Sequence, residues 1–121
     1  MGLLSFNNGN YGFQSIDEAL TVIKTHSLEI DEIWVSDKEK YPCVAVCTNG
    51  EYAAVTYFGK EEGDMYLSFN VYNQIKVDFT AGGEEWIPEP DAVISKDKAI
   101  ECIKEFLETG NKPECIKWQS L

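Results

Sequence analysis

Between two apolar stretches, Cys43 to Thr48 and Glu51 to Phe58, stands the pair Asn49-Gly50. Asn-Gly is the favoured pair for a two-residue type I′ turn, whose positive φ angles match the twist of the strands it joins. The pair therefore predicts a β-hairpin and fixes its register, with Val46 opposite Ala53 and Val44 opposite Val55 on one face. Cys43, Ala45 and Cys47 then share the other face with Tyr52, Ala54 and Thr56. Both faces are small and mostly apolar. Such a hairpin belongs at the centre of a sheet, with material packed on each side.

The flanking segments supply the rest of the sheet. Gly2 to Phe6 reads as a short strand ended by the turn signal Asn7-Asn8-Gly9-Asn10. Ser15-Ile16-Asp17-Glu18 is a capping box, and Ile16, Ala19, Leu20 and Ile23 continue it as one helical stripe from about 16 to 26. Glu32 to Ser36 is a strand, Asp37 to Pro42 a polar connection, and Gly59 to Asp64 a tight acidic loop. Met65 to Asn70 gives another strand. Ile75, Val77 and Phe79 alternate within residues 71–80 and predict one more. Residues 81–90 carry glycines and prolines that argue against regular structure over much of their length. Ser95 caps a second helix with the stripe Ala99, Ile100, Ile103, Phe106 and Leu107, Gly110 suits its C-cap, and Pro113 prevents continuation. Cys115 to Ser120 closes the chain as a last strand. The expected fold is α+β: a largely antiparallel sheet of about six strands, with an N-terminal and a C-terminal helix packed on it. A chain of 121 residues with no linker or repeat is expected to form a single domain over 1–121.

Composition narrows the function. The formal net charge is −11, which opposes binding to nucleic-acid phosphates and suits a basic partner. All ten basic residues are lysine, so the arginine fork that recognises phosphate is missing. The charge is uneven, since residues 1–94 hold 16 acidic residues against 5 lysines while residues 95–121 are balanced. No apolar run approaches the ~20 residues of a membrane span, and Met1 to Asn10 lacks the features of a signal peptide, so a cytoplasmic location is expected. Cys43, Cys47, Cys102 and Cys115 show no Cys-x-x-Cys pair and His26 is the lone histidine, so reduced thiols in the core are expected rather than a metal centre. No nucleophile elbow or phosphate loop is present. The adjacent carboxylates Asp31-Glu32, Glu61-Glu62 and Glu84-Glu85 alternate across a strand or lie in loops, which favours solvated faces over a two-acid hydrolase. Neither a catalytic residue nor a cofactor is assigned.

The C-terminal part carries a family pattern. Ile94-Ser95-Lys96-Asp97-Lys98-Ala99 precedes Glu105-Phe106-Leu107-Glu108-Thr109-Gly110-Asn111-Lys112-Pro113, and Ile116-Lys117-Trp118 follows. With Gly82-Gly83-Glu84-Glu85 before Ile87-Pro88, and Val55-Thr56-Tyr57-Phe58, this resembles the first immunity-protein family of bacterial polymorphic toxin systems. The pattern spans roughly residues 43–120, and is similar to immunity proteins that neutralise double-stranded-DNA cytosine deaminase toxins. Phe106, Leu107, Gly110, Pro113 and Trp118 all have structural explanations as stripe, cap, stop and core aromatic, so they indicate the fold and leave the binding surface open. The resemblance implies a protein that works by binding.

A toxin acting on nucleic acid needs a basic cleft, and an anionic inhibitor can be steered into it. The expected partner is therefore a cognate toxin domain with a basic cleft, a deaminase or a nuclease. The candidate partner-binding residues lie in the acidic loops: Asp37, Glu39 and Tyr41; Glu61, Glu62 and Asp64; Glu84, Glu85 and Trp86. The competing reading is a non-catalytic adaptor or small-ligand-binding α+β domain. Neither the oligomeric state nor the toxin's chemistry follows from the sequence.

Overall fold

A computed structural model describes residues 2–61 and 63–121, so Glu62 of the candidate set lies outside the described residues. The strands are β1 Gly2–Phe6, β2 Gly9–Phe13, β3 Ile30–Ser36, β4 Cys43–Asn49, β5 Tyr52–Phe58, β6 Met65–Phe69, β7 Phe79–Ala81, β8 Glu84–Trp86, β9 Ile94–Ser95 and β10 Lys117–Ser120. The helices are α1 Ile16–His26 and α2 Lys96–Thr109, and Pro90–Ala92 forms a 3-10 turn. The main sheet runs β10-β6-β5-β4-β3-β1-β2 with β9 also on β5, every pair antiparallel, and β7-β8 form a separate two-stranded ribbon. The α+β class with two helices stands. The strand number does not: eight strands form the main sheet where about six were expected.

Three segments account for the difference. Asn7-Asn8 alone make the first turn, and Gly9 already belongs to β2, paired with Phe6. Two glycines and an asparagine give β2 too little apolar alternation to be read as a strand. Within residues 71–80 only Phe79 and Thr80 are in a strand, and Ile75 is 54% exposed although Val77 and Phe79 are buried. Finally, Gly82 and Gly83 do not break the structure. Their φ angles of 61° and 81° make them the two central residues of a type I′ turn, which closes β7 onto β8.

The central hairpin forms, but its register is shifted. Val46 faces Val55 and Val44 faces Tyr57, because Asn49 stays in the strand opposite Tyr52 and Gly50-Glu51 make the turn. Only Gly50 has a positive φ there, the pattern of a type II′ turn with glycine leading. Asn49 is kept in the strand by pairing with Ile30 and by its side-chain amide, which donates to the Asp78 carbonyl at 2.8 Å. A shift of two residues preserves the faces, so the expected partition of side chains holds.

On one face Leu4, Ile33, Val35, Val44, Val46 and Val55 pack against Ala19 and Ile23 of α1 and Ala99, Ile103 and Phe106 of α2. Each of the larger side chains contributes roughly 1.5–3 kcal/mol by leaving water. Both helices start where expected: Ser15 accepts from the Glu18 N–H and Ser95 from the Lys98 N–H, and Gly110 ends α2 at φ 71°. Glu18 reaches back to the Gln14 N–H. On the opposite face, Cys47 and Ala54 are covered by Val77, Phe79 and Val93, with Ala81 and Trp86 packed alongside. The hairpin is covered on both sides, as its composition demands. Among the described residues no helix is long and apolar enough to cross a membrane.

Candidate partner-binding face

Because β3, β4, β5 and β6 are antiparallel neighbours, the β3–β4 and β5–β6 connections leave the sheet at the same end. There Tyr41, Phe58, Lys60, Glu61, Asp64 and Met65 surround a hollow of about 430 Å³. Asp37, Glu39 and Tyr41 line a neighbouring hollow of about 240 Å³ with Lys60, against Phe106 and Gly110 of α2. Asp64 is fixed in this loop: its carbonyl accepts from the Gly59 N–H at 2.7 Å, and its carboxylate occupies the space that a Cβ at Gly59 would need. The charges in this region are mixed. Lys38 and Lys60 line the hollows among the carboxylates, and Lys40 Nζ sits 5.5 Å from the Tyr41 ring centroid.

The second part of the face is built by the β7–β8 ribbon lying across the sheet. The Glu32 carboxylate accepts from the Gly82 N–H, at 3.3 Å for each oxygen, and so ties the ribbon's turn to β3. Phe79 and Trp86 pack ring on ring at 6.1 Å, holding the ribbon's base over Cys47 and Ala54. Beside the ribbon the sheet surface is open. A groove of about 340 Å³ runs there, floored by Ala45 and Thr56, with Trp34, Phe58 and Met65 on one side and Glu84, Glu85 and Trp86 on the other. Trp34 and Phe58 stack with centroids 5.3 Å apart and planes within 19°. They come from β3 and β5 and meet across β4, where Ala45, paired with both Trp34 and Thr56, is small enough to let them lean together.

Charge in the groove is of one sign. Glu32, Glu84 and Glu85 line it, and no lysine does. The Glu85 carboxyl is raised above the usual glutamate value by a hydrogen bond with Asp78, then by repulsion between the two carboxylates. Phe58 and Met65 border both this groove and the hollow at the sheet end, so the two form one continuous face.

The structure thus places Tyr41, Glu61 and Asp64 around one hollow, Asp37, Glu39 and Tyr41 around its neighbour, and Glu84, Glu85 and Trp86 along the groove. Sequence reasoning missed Glu32, Trp34, Phe58 and Met65. The parity of β3 carries the missing signal for two of them: Ile33 and Val35 face the helices, so Glu32 and Trp34 must face the other way. The thiols are not poised as nucleophiles. Burial pushes Cys43 up to about 11, and burial together with the Glu32 carboxylate pushes Cys47 up to about 12. Burial also raises Cys102, whose sulfur lies 3.4 Å from that of Cys115. Among the described residues no group of three or more His, Cys, Asp or Glu side chains is arranged to hold a metal ion.

The fold is an α+β sheet with two helices on one face and an aromatic, acidic groove open on the other. Comparison with protein families makes this specific: residues 14–120 match the model of the family described as Immunity protein Imm1, and the chain belongs to that family. It is an immunity protein, which acts by binding a toxin. No curated protein matches the chain at a significant level.

Proposed function

We propose that this immunity protein is cytoplasmic and neutralises a cognate toxin acting on nucleic acid, a deaminase or a nuclease, by covering the basic cleft that takes the substrate. The observation that carries the reading is the continuity of the face from Glu61 and Asp64 to Glu84, Glu85 and Trp86. A row of carboxylates resembles in charge the phosphate backbone that such a cleft accepts, and the exposed aromatic side chains between them are the residue types that anchor interfaces. The charge distribution supports the same reading, because the −11 net charge lies entirely in residues 1–94, where this face is built.

The test is co-expression with the toxin encoded beside it. The native chain is expected to rescue growth and co-purify with the toxin. Glu61→Lys, Glu84→Lys and Glu85→Lys together are expected to abolish rescue while leaving the fold intact. Full rescue by the triple variant removes this face from the interface.

A further inference from the structure

The groove beside the β7–β8 ribbon has features that select one kind of occupant. Over a floor of Ala45 and Thr56, one wall is aromatic and aliphatic, with Trp34 38% exposed despite its stack on Phe58. Its carboxylates come from Glu84, on the sheet-facing side of β8, and from Glu32 of β3. Glu32 shares one N–H, from Gly82, between its two oxygens and keeps lone pairs for a ligand; Glu84 is exposed on the sheet-facing side of β8 with Trp86, whereas Glu85 faces the other way, beside Asp78. An apolar segment entering here would strip water from these carboxylates and give nothing in return. An anion would be repelled. A lysine ammonium would find counter-charge, but its compact, strongly hydrated head gains less from ring faces. A guanidinium satisfies both walls, because it is planar, stacks on aromatic rings and bonds carboxylates through a fork of N–H groups.

We propose that the groove between Trp34 and the Glu84–Glu85 strand is a socket for an arginine side chain presented by the partner toxin. The guanidinium lies against the aromatic wall, and the Glu84 and Glu32 carboxylates accept its N–H groups. The socket deepens the docking reading given above and rests on it for the identity of the partner, but the socket itself is testable without any toxin.

The experiment titrates the full chain with N-acetylarginine amide, N-acetyllysine amide or N-acetylleucine amide to high millimolar concentration, following amide and indole N–H shifts by NMR. The arginine probe is expected to move the Trp34 and Trp86 indole signals and the Glu84 and Glu85 amides, saturating in the millimolar range. The lysine probe is expected to bind at least threefold more weakly, and the leucine probe to leave these signals unmoved. Glu84→Gln, a substitution on an exposed ribbon, is expected to weaken the arginine probe at least fivefold with an unchanged spectrum elsewhere, while Glu85→Gln, on the ribbon's other side, is expected to change it less than twofold. Trp34→Ala is a second variant with the same expected loss. Arginine shifts centred on residues 37–42 and 59–64, equal binding of the leucine probe, or insensitivity to Glu84→Gln each overturn the socket. A chain that binds arginine here yet fails to rescue cells from the toxin would instead refute the docking reading alone.

Discussion

At the residue scale, two buried polar groups in neighbouring strands differ in how they are satisfied. Asp31 is fully buried, and its carboxylate accepts three backbone N–H bonds, from Asn7 at 3.0 Å, Leu28 at 2.8 Å and Glu32 at 2.8 Å. It joins the β1–β2 turn, the end of α1 and the start of β3 around one side chain. Thr48, its partner across the β3–β4 ladder, is equally buried, and its hydroxyl has no hydrogen-bond partner among the described residues. Burying an unpaired hydroxyl costs about 1–3 kcal/mol, and a methyl group in its place fills the same volume. Thr48→Val is therefore expected to raise stability by about 1 kcal/mol in urea unfolding, with the slope unchanged. A loss of stability would show that the hydroxyl is bonded in solution.

At the element scale, the sheet changes partner part-way along β5. β6 pairs with Thr56 to Phe58, and β9 takes the same edge at Tyr52 and Ala53. The Val55 N–H falls in the gap between them. The Ser68 hydroxyl fills it, accepting from Val55 at 3.0 Å and donating to the Ala92 carbonyl at 2.6 Å, fully buried. One hydroxyl so bridges β5, β6 and the 3-10 turn that leads into α2. Ser68→Ala leaves a buried N–H and a carbonyl without this partner, and is expected to cost about 2–4 kcal/mol by thermal or denaturant unfolding. Amide exchange at Val55 should quicken with it, whereas Ser5→Ala, on an exposed side chain contact, should change little.

For the whole molecule, the decisive property is where the charge sits. The groove and adjoining loops carry part of the excess of carboxylates, and the screening length shrinks from about 10 Å at 0.1 M salt to about 3 Å at 1 M. Association with a basic toxin is expected to slow at least tenfold across that range, with dissociation changing far less. Stopped-flow or surface-based kinetics would read both; a salt-independent on-rate removes steering from the account. Most of this architecture is legible in the sequence wherever a local signal is strong. Ser15, Ser95 and Gly110 fix the helix ends, and the apolar runs around Asn49-Gly50 fix a central hairpin. What escapes notice depends on distant partners. Gly82-Gly83 is a local turn signal, but the seating of its ribbon on the sheet depends on Glu32 and Asn49, and β2 is a strand only because β1 offers it an edge. The same holds for the candidate face. The acidic loops can be found residue by residue, but the aromatic wall between them exists only once β3, β4 and β5 lie side by side.

The close seating of Asp64 over Gly59 bears on how such a surface can diversify. Any larger residue at 59 would evict that carboxylate from its place, so this point of the rim is pinned by lack of room. Glu39 and Glu61 are exposed, with open solvent to accept an exchange as the opposing surface changes. Lineages of this chain should accordingly re-tune whom they recognise around one immovable corner.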